Sequence, residues 1–401
     1  MTYTAGQADA ADHPILHAAI SIAPMIHAAK DEIERGRRLP QPIVAAMKEA
    51  GVFAMAMPRA WGGPELDLPT QFRIIEALAL ADGSVGWCAM INCDGGYVTA
   101  FIDDAAGRAL YPDISVATAA PISPTGQAII VPGGYRVSGR FPFASGSNHC
   151  ERAWLGCAVI EDGAPRLDAN GVPATRHCVV PMSQCEIADT WYTTGLRGTG
   201  SNDLVVNDLF VEEKYTFSFQ DPAQVKRSGP LYAFPFMFVA KASAPALGIA
   251  RHALNALIEV ATEKKTRTYL VGGRLVQPKQ LREEVYVQEA VGRAETMLTS
   301  ARAYQFDVMG DLWQALLAGN APTPAQIARF TTAPTHVIGT CVDVVELVCK
   351  AAGGTAVYQK GPFDRCLRDI LTMNQHVIAS LKTYEMAGRL LLGLEPLRGL
   401  L

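Results

Sequence analysis

The spacing of apolar residues divides the chain into helical and β-rich regions. Ala, Ile, Leu and Met recur every three or four residues across 14–36, 41–51, 68–82 and 86–103, and this spacing predicts amphipathic helices. Residues 1–113 are therefore predicted to form an all-helical N-terminal domain.

The pattern changes over residues 114–225. Short β-branched runs such as AIIV, WLGCAVI and DLVVNDLFV are bounded there by Gly, Pro, Asn or Asp, which predicts a small antiparallel β barrel or sandwich. Helical spacing returns across 226–401 and predicts a C-terminal four-helix bundle. Its four segments are 236–262, 279–318, 324–352 and 375–393. The predicted fold class is thus mainly α with a β middle domain.

Composition agrees with a large globular protein. The chain has 401 residues, 49% of them hydrophobic, which is enough for a buried core shared by two or three domains. The net charge of −4 offers no basic surplus for nucleic acid or an anionic membrane. Only 18% of residues are charged, so we expect part of the surface to be buried in a homo-oligomer.

The chain carries no predicted targeting or membrane segment. Its start lacks the basic and then apolar pattern of a secretory signal, and no apolar run reaches the ~18 residues of a membrane span. The nine cysteines form no Cys-x-x-Cys pair, so we expect neither a disulfide framework nor a bound metal. Reduced thiols indicate a cytoplasmic protein.

Several common catalytic motifs are missing from the sequence. There is no G-x-G-x-x-G after a strand and no G-x-x-x-x-G-K-[ST], so direct nicotinamide or nucleoside triphosphate binding lacks support. Neither G-x-S-x-G nor H-E-x-x-H occurs. His149 opens an H-x-E sequence, but no P-C-x-x-C follows, which excludes the zinc deaminase pattern.

Four stretches, in order, resemble acyl-CoA dehydrogenase-like proteins. They are VAAMKEAGVFAMAMPRAWGG (44–63), GYRVSGRFPFASGSNH (134–149), TGLRGTGSNDLVVNDLFV (194–211) and AAGGTAVYQKGPFDRCLRDI (351–370). The resemblance covers nearly the whole chain. It implies the acyl-CoA dehydrogenase-like fold and, within it, the branch of two-component flavin-dependent monooxygenases (group D hydroxylases).

The sequence FASGS, from Phe143 onward, reads by itself as a tight turn that ends a strand. The resemblance implies that this segment crosses the flavin ring, with Phe143 as a wall and Gly146 beside it. It also implies that the Ser145 hydroxyl reaches flavin N5 and supports a C4a-hydroperoxyflavin. Thr199 and Ser201, in a second turn, are expected to approach the cofactor.

His376 is the predicted second catalytic residue, although a lone histidine in an apolar stretch is more commonly a core residue. Acyl-CoA dehydrogenases of the best-known type carry a catalytic glutamate shortly after an Arg-Asp pair. Here Arg368 and Asp369, interpreted as a structural ion pair, are followed by no carboxylate before Glu385. An imidazole suits proton exchange with a phenol or a peroxide better than removal of a thioester α-proton.

Further cofactor contacts are expected near the C-terminal bundle. Arg267 and Arg274 read either as a solvated basic helix end or as ligands of the flavin phosphate, which a guanidinium fork suits. Gly353, Gly354 and Thr355 read either as a helix C-cap or as a place where the backbone approaches the cofactor.

Aromatic and polar residues are expected to complete the cavity. Trp191 reads as a core tryptophan of the β domain or, by resemblance, as a wall beside flavin or substrate. Asn92, Asp94 and Tyr97 occupy the segment where oxygenase relatives often carry a histidine or tyrosine, so they are expected to line the substrate pocket.

The resemblance implies an oxygenase component that uses O2 and reduced FMN or FAD, supplied by a separate flavin reductase, through a C4a-hydroperoxyflavin. The expected reaction is hydroxylation of a small aromatic or phenolic molecule, with N- or S-oxygenation left open, in a homotetramer. One alternative is an FAD-dependent acyl-CoA dehydrogenase, which would need Asp94 or Glu385 as its base. Another is a flavin or ligand carrier without catalytic activity.

Overall fold

The N-terminal region is helical, as predicted. The computed structural model describes residues 13–168, 171–220, 225–233, 236–266 and 269–394. The first helices are α1 Pro14–Ser21, α2 Ala23–Ala28, α3 Lys30–Gly36, α4 Gln41–Glu49, α5 Leu68–Ala81, α6 Gly83–Asn92, α7 Gly95–Val98 and α8 Asp104–Leu110. The predicted helix over 14–36 is three short helices, because Pro24 in the first turn of α2 cannot continue the hydrogen bonding of α1.

Helix α6 positions one wall of the site. Asp82 caps its N-terminus, since the carboxylate accepts hydrogen bonds from the backbone nitrogens of Ser84 (2.9 Å) and Val85 (3.2 Å). Nearly every side chain of α6 is buried. A buried helix fixed at its first turn gives rigid positions for the residues that it carries.

The middle region forms one nine-stranded sheet. Its strands are β1 Thr118–Ala119, β2 Gly126–Val131, β3 Gly134–Ala144, β4 Arg152–Glu161, β5 Ala164–Pro165, β6 Thr175–Pro181, β7 Glu186–Ala188, β8 Asn202–Glu212 and β9 Thr216–Phe217. The main path runs β7-β8-β3-β2-β4-β6-β9, with β1 and β5 paired to β4.

The sheet is mixed rather than wholly antiparallel. Strands β1 and β2 pair with β4 in parallel, while the other pairings are antiparallel. The reason is the chain path: β3 folds back on one side of β2, and β4 then returns along the opposite side, so that β2 and β4 run the same way. The loop between β3 and β4 is thereby placed beside α6.

The C-terminal region consists of helices and one two-stranded hairpin. Its helices are α9 Ala244–Glu263, α10 Val285–Leu317, α11 Pro324–Ala352, α12 Pro362–Met373 and α13 Lys382–Leu391, and the hairpin pairs β10 Tyr269–Val271 with β11 Arg274–Val276. Helix α11 packs against α9, α10, α12 and α13. The predicted helix over 375–393 begins instead as a 3-10 turn, Val377–Ala379, because the His376 side chain caps that turn. Among the described residues, no helix is both long and apolar enough to cross a membrane.

Candidate active site

A large cavity lies where the three regions meet. Its volume is about 1060 Å³, and its walls come from α6, the turn after β3, the loop before β8, α11 and the end of α12. Cavities for one small ligand span roughly 300–1000 Å³. This cavity therefore lies at the upper end of the range for ligand-binding sites.

Three buried hydroxyl groups form a hydrogen-bonded chain in the cavity wall. Ser145 Oγ lies 2.7 Å from Ser201 Oγ, which lies 2.7 Å from Thr199 Oγ1. Thr199 Oγ1 donates to the Leu196 carbonyl at 2.8 Å, and Trp87 Nε1 donates to Ser145 Oγ at 3.0 Å. All five residues line the cavity.

The two ends of this chain determine the direction of its protons. The Leu196 carbonyl can only accept, so the single hydroxyl proton of Thr199 is used there. Ser201 must then donate to Thr199, and Ser145 must donate to Ser201. Because Ser145 also accepts from Trp87, it has one lone pair left and no proton to offer to a ligand.

Asn92 and Gly146 fix the backbone at Ser145. Asn92 Nδ2 donates to the carbonyls of Ser145 (3.0 Å) and Thr118 (3.1 Å), and its Oδ1 lies 3.0 Å from His149 Nε2. Gly146 has φ +80°, and a Cβ there would lie 2.5 Å from Asn92 Oδ1. Asn92 is therefore behind the cavity wall, not in it, and Gly146 is required by its conformation and by the close approach of the amide.

His376 lines the same cavity as the hydroxyl chain and is connected to it through Trp87. Its ring meets the Trp87 ring edge-on at 5.2 Å, and it lines the cavity. The backbone nitrogen of Ile378 donates to His376 Nδ1 at 3.3 Å, so the proton of the neutral ring resides on Nε2. Burial lowers the pKa of His376 to about 4, which keeps the ring neutral at physiological pH.

Phe143 and Trp191 border the cavity. A bulge in β3 opposite β8 puts Phe143 at φ +63°, and its side chain is 69% exposed. The Trp191 ring packs edge-on against Phe143 at 6.2 Å, and its Nε1 donates to the Leu196 carbonyl at 3.0 Å. Both residues line the cavity, and their role as walls beside a ligand stays a prediction.

A buried ion cluster holds the loop that carries Leu196. Leu196 has a left-handed backbone (φ +48°), and its nitrogen donates to Asp369 Oδ1 at 2.6 Å. Asp369 pairs with Arg365 (3.7 Å), while Arg368 pairs with Glu34 at 2.7 Å. The predicted Arg368–Asp369 ion pair is therefore wrong: adjacent helical residues point to different sides, and each carboxylate or guanidinium finds a partner on its own side.

Asp94 is a buried residue of the cavity wall and forms an ion pair with Lys241. Lys241 Nζ also donates to Met90 O (2.8 Å) and Cys93 Sγ (2.9 Å). Burial raises the pKa of Asp94 to about 6, and the lysine opposes that shift. Tyr97 does not line the cavity; its hydroxyl lies 3.2 Å from Gln71 Oε1 in the core.

The described residues among the predicted phosphate and backbone contacts do not line this cavity. Gly353, Gly354 and Thr355 belong to a 3-10 turn after α11 and do not line the cavity, and Thr355 Oγ1 accepts from Lys264. Arg274 is exposed on β11. Arg267 lies outside the described residues.

Sequence reasoning missed Trp87 and Lys241. Trp87 joins Ser145 to His376, but a tryptophan within an apolar helix reads as core. Lys241 lies in the apolar run FMFVAKASAPALGIA. A single lysine in such a run is a signal for a buried cation, because a buried lysine needs a partner.

Comparison with known proteins covers most of the chain. The family described as "Acyl-CoA dehydrogenase, N-terminal domain" matches residues 18–109, and "Acyl-CoA dehydrogenase, C-terminal domain" matches 240–381. An indole-3-acetate monooxygenase of Pseudomonas putida is 30% identical, over 92% of this chain and 91% of that protein. The flavin-dependent monooxygenase oxygenase subunit HsaA of Mycobacterium tuberculosis is 29% identical, over 88% and 89%. The crystal structure of 3-HSA hydroxylase from Rhodococcus sp. RHA1 has a TM-score of 0.87 at 25% identity, covering 97% of this chain and 100% of that one.

Proposed function

The chain belongs to the acyl-CoA dehydrogenase family, in its flavin-dependent monooxygenase branch, and we propose that it hydroxylates a small aromatic molecule with reduced flavin from a separate reductase. One observation carries the proposal: a single cavity joins the Ser145 hydroxyl chain to the neutral imidazole of His376 through Trp87. The relatives named as flavin-dependent monooxygenases support the same reaction class.

The cavity residues fit a flavin. The Ser145 oxygen keeps one lone pair, which matches the N5–H of a reduced flavin ring, and Phe143 and Trp191 offer flat apolar faces beside it. When bound, reduced flavin supplies the electrons that activate O2. Ser145 would hold the ring by accepting from N5, with Trp87 and Ser201 fixing the direction of that lone pair.

His376 is proposed to act as a hydrogen-bond donor rather than as a base. Its Nδ1 accepts from Ile378, so Nε2 presents a proton. A neutral imidazole in a fixed tautomer can stabilise a reacting oxygen by a hydrogen bond from Nε2–H, whereas a base would need a free lone pair at the same nitrogen. Of the two roles expected from the sequence, the base lacks a free lone pair, and the neutral ring fills the donor role only as far as a hydrogen bond.

The dehydrogenase alternative finds no base in this cavity. Asp94 is the one carboxylate among the described lining residues, and Lys241 holds it in an ion pair. Glu385 is exposed on α13 and does not line the cavity. Removal of an α-proton from a thioester would need one of these groups, free and beside the ring.

The proposal extends to assembly and location. Large apolar side chains are exposed near the C-terminus, among them Leu381 (78%), Leu392 (78%) and Val377 (71%). Apolar exposure on this scale is typical of a subunit interface, which supports a homotetramer. We further propose a cytoplasmic protein, because the nine cysteines have no disulfide spacing.

Rapid mixing tests the function. Pre-reduced FMN or FAD, bound to the protein without oxygen, would be mixed with oxygenated buffer containing a panel of aromatic compounds. We expect near-ultraviolet absorption distinct from that of oxidised flavin, and a product that carries one atom of 18O2. Oxidised flavin formed at the protein-free rate, with hydrogen peroxide and no product for every compound, would contradict the proposal, as would reduction of bound FAD by an acyl thioester under nitrogen.

A further inference from the structure

Among the described residues that line the cavity, Asp94 is the only one with a formally charged side chain, because burial keeps His376 neutral. We propose that Asp94 determines substrate specificity: it accepts a hydrogen bond from an N–H or O–H group of a neutral aromatic substrate, and the cavity excludes aromatic carboxylates. The inference rests on the proposed function, because it names the substrate class of the same cavity.

Lys241 cannot serve as an anchor for a substrate carboxylate. Its ammonium group has three protons, and three partners use them: Asp94 Oδ1, the Met90 carbonyl at 2.8 Å and Cys93 Sγ at 2.9 Å. Lys241 is fully buried behind Asp94. A carboxylate ligand would therefore meet the anion and not the cation.

Asp94 retains acceptor capacity toward the cavity. Lys241 and Cys93 both contact Oδ1, and Oδ2 has no hydrogen-bond partner among the described residues. The side chain is nevertheless only 3% exposed. Since Asp94 lines the cavity, a ligand donor that reaches this oxygen gains a charge-assisted hydrogen bond. The pKa of Asp94, about 6, leaves the group ionised at neutral pH.

The distance along α6 and the residues that directly follow it fits a bicyclic aromatic molecule. Trp87, Met90, Ile91 and Asp94 all line the cavity, so one face of this helical stretch forms a continuous wall. Asp94 lies seven positions after Trp87, which is roughly 10 Å at 1.5 Å per residue. A fused two-ring compound can then reach from the Ser145–His376 end to the carboxylate.

Aromatic side chains flank the Asp94 end. The Tyr97 ring lies 5.2 Å from Lys241 Nζ and 6.0 Å from the Phe238 ring. Phe238 in turn packs edge-on against Trp154 at 6.3 Å, and both of these rings line the cavity. The cavity that contains the acceptor therefore also has flat apolar faces, a combination that suits a planar heterocycle with an N–H or a phenol.

This arrangement predicts a departure from a named relative. Indole-3-acetate, the compound in the name of the Pseudomonas putida relative, carries a carboxylate. Here the described cavity lining includes no Lys or Arg, and Asp94 would repel that group. The chain should therefore prefer the unsubstituted neutral ring.

Calorimetric titration without flavin tests the assignment, with indole, benzofuran and indole-3-acetate as probes. Benzofuran has the shape of indole but no N–H. We expect wild-type protein to bind indole about 10- to 100-fold more tightly than benzofuran, the effect of one hydrogen bond to a charged acceptor. Indole-3-acetate should bind more weakly than indole.

Asp94→Asn and the double variant Asp94→Asn/Lys241→Met should reduce the indole-to-benzofuran ratio to about 2-fold or less. The double variant avoids an unpaired buried ammonium, and comparing two probes on one protein cancels any loss of folded fraction. Asp343→Asn changes an exposed carboxylate on α11 and should keep the wild-type ratio.

Three results would overturn the assignment: no binding of indole to the wild type, tighter binding of indole-3-acetate than of indole, or an unchanged ratio in both variants. The proposed function fails separately. Probe selectivity without flavin-dependent hydroxylation would reject the oxygenase reaction alone, whereas hydroxylation without selectivity would reject the role of Asp94 alone.

Discussion

The direction of the Ser145–Ser201–Thr199 hydroxyl chain predicts a preference for reduced over oxidised flavin. Ser145 offers an acceptor to the cavity because the Leu196 carbonyl fixes the Thr199 proton. Reduced flavin has a donor at N5, whereas oxidised flavin has an acceptor there. Thr199→Val removes the end of the chain, after which Ser201 can donate to Ser145 and the Ser145 proton can turn toward the ligand.

The size of the effect follows from hydrogen-bond energetics. A matched bond contributes about 0.5–1.5 kcal/mol, and an unmatched buried acceptor costs about 1–3 kcal/mol. A combined difference of about 2 kcal/mol corresponds to about 30-fold in affinity at 1.4 kcal/mol per tenfold. In Thr199→Val, the Ser145–Ser201 hydrogen bond can form with either hydroxyl as the donor. Ser145 can then accept from reduced flavin or donate to oxidised flavin equally well, so the preference for reduced flavin should fall to about 3-fold.

The assay compares dissociation constants for reduced and oxidised FMN and FAD, the reduced forms being titrated without oxygen. Thr199→Ser retains the hydroxyl and should keep the wild-type ratio. The fold should tolerate the valine, because Trp191 Nε1 still donates to the Leu196 carbonyl. An unchanged ratio in Thr199→Val, or the same loss in Thr199→Ser, would refute the proton assignment.

Three more predictions concern the surrounding residues. Gly146→Ala should lower the stability by about 1–3 kcal/mol through its φ of +80° and the contact with Asn92, and wild-type thermal unfolding would contradict this. His376→Gln should slow hydroxylation about 100-fold while the affinity for reduced flavin changes little, and equal loss of both would assign it a structural role. Burial lowers the pKa of His177 to about 4 in the folded protein, so this histidine is protonated at a higher pH in the unfolded chain than in the folded one. Stability therefore falls as the pH drops from 6.5 toward 4. His177→Gln, which can still donate to the Ile122 carbonyl, should remove about 2 kcal/mol of the decrease in urea-unfolding free energy between pH 6.5 and 5, and an unchanged slope would contradict the assignment.

Local patterns predicted the fold class because each region has its own period of apolar residues. The family and its flavin-dependent monooxygenase reaction were also predicted, and the comparisons confirm both. The mixed sheet was not predictable from strand composition, since the parallel β2–β4 pair depends on which side of β2 the chain returns to. Nor was the 3-10 turn at Val377–Ala379, where one side-chain cap outweighs helical spacing.

The site was predictable as far as residue types reveal chemistry. Ser145, Phe143, Trp191, Asp94 and His376 all line the cavity, yet their roles depend on partners distant in sequence. The proton position on His376 depends on a backbone nitrogen two residues away, which no pattern of residue types encodes. Asp94 likewise becomes an acceptor for a ligand only because a lysine 147 residues later occupies its other oxygen.

The chemistry at Ser145 depends on contacts across three regions of the chain. Its lone pair faces the cavity because the Leu196 carbonyl takes the Thr199 proton, and Leu196 holds its left-handed backbone because its nitrogen donates to Asp369 on α12. Asp369 in turn stays beside Arg365, which also pairs with the carboxylate that caps α6. The helix that carries Trp87 and the loop that directs the hydroxyl chain thus share one buried guanidinium. A change in that ion cluster would move both Trp87, which donates to Ser145, and the loop whose Leu196 carbonyl fixes the direction of the hydroxyl chain. We therefore expect a substitution in the cofactor pocket to be tolerated only with a matching substitution in the C-terminal bundle, and the reverse.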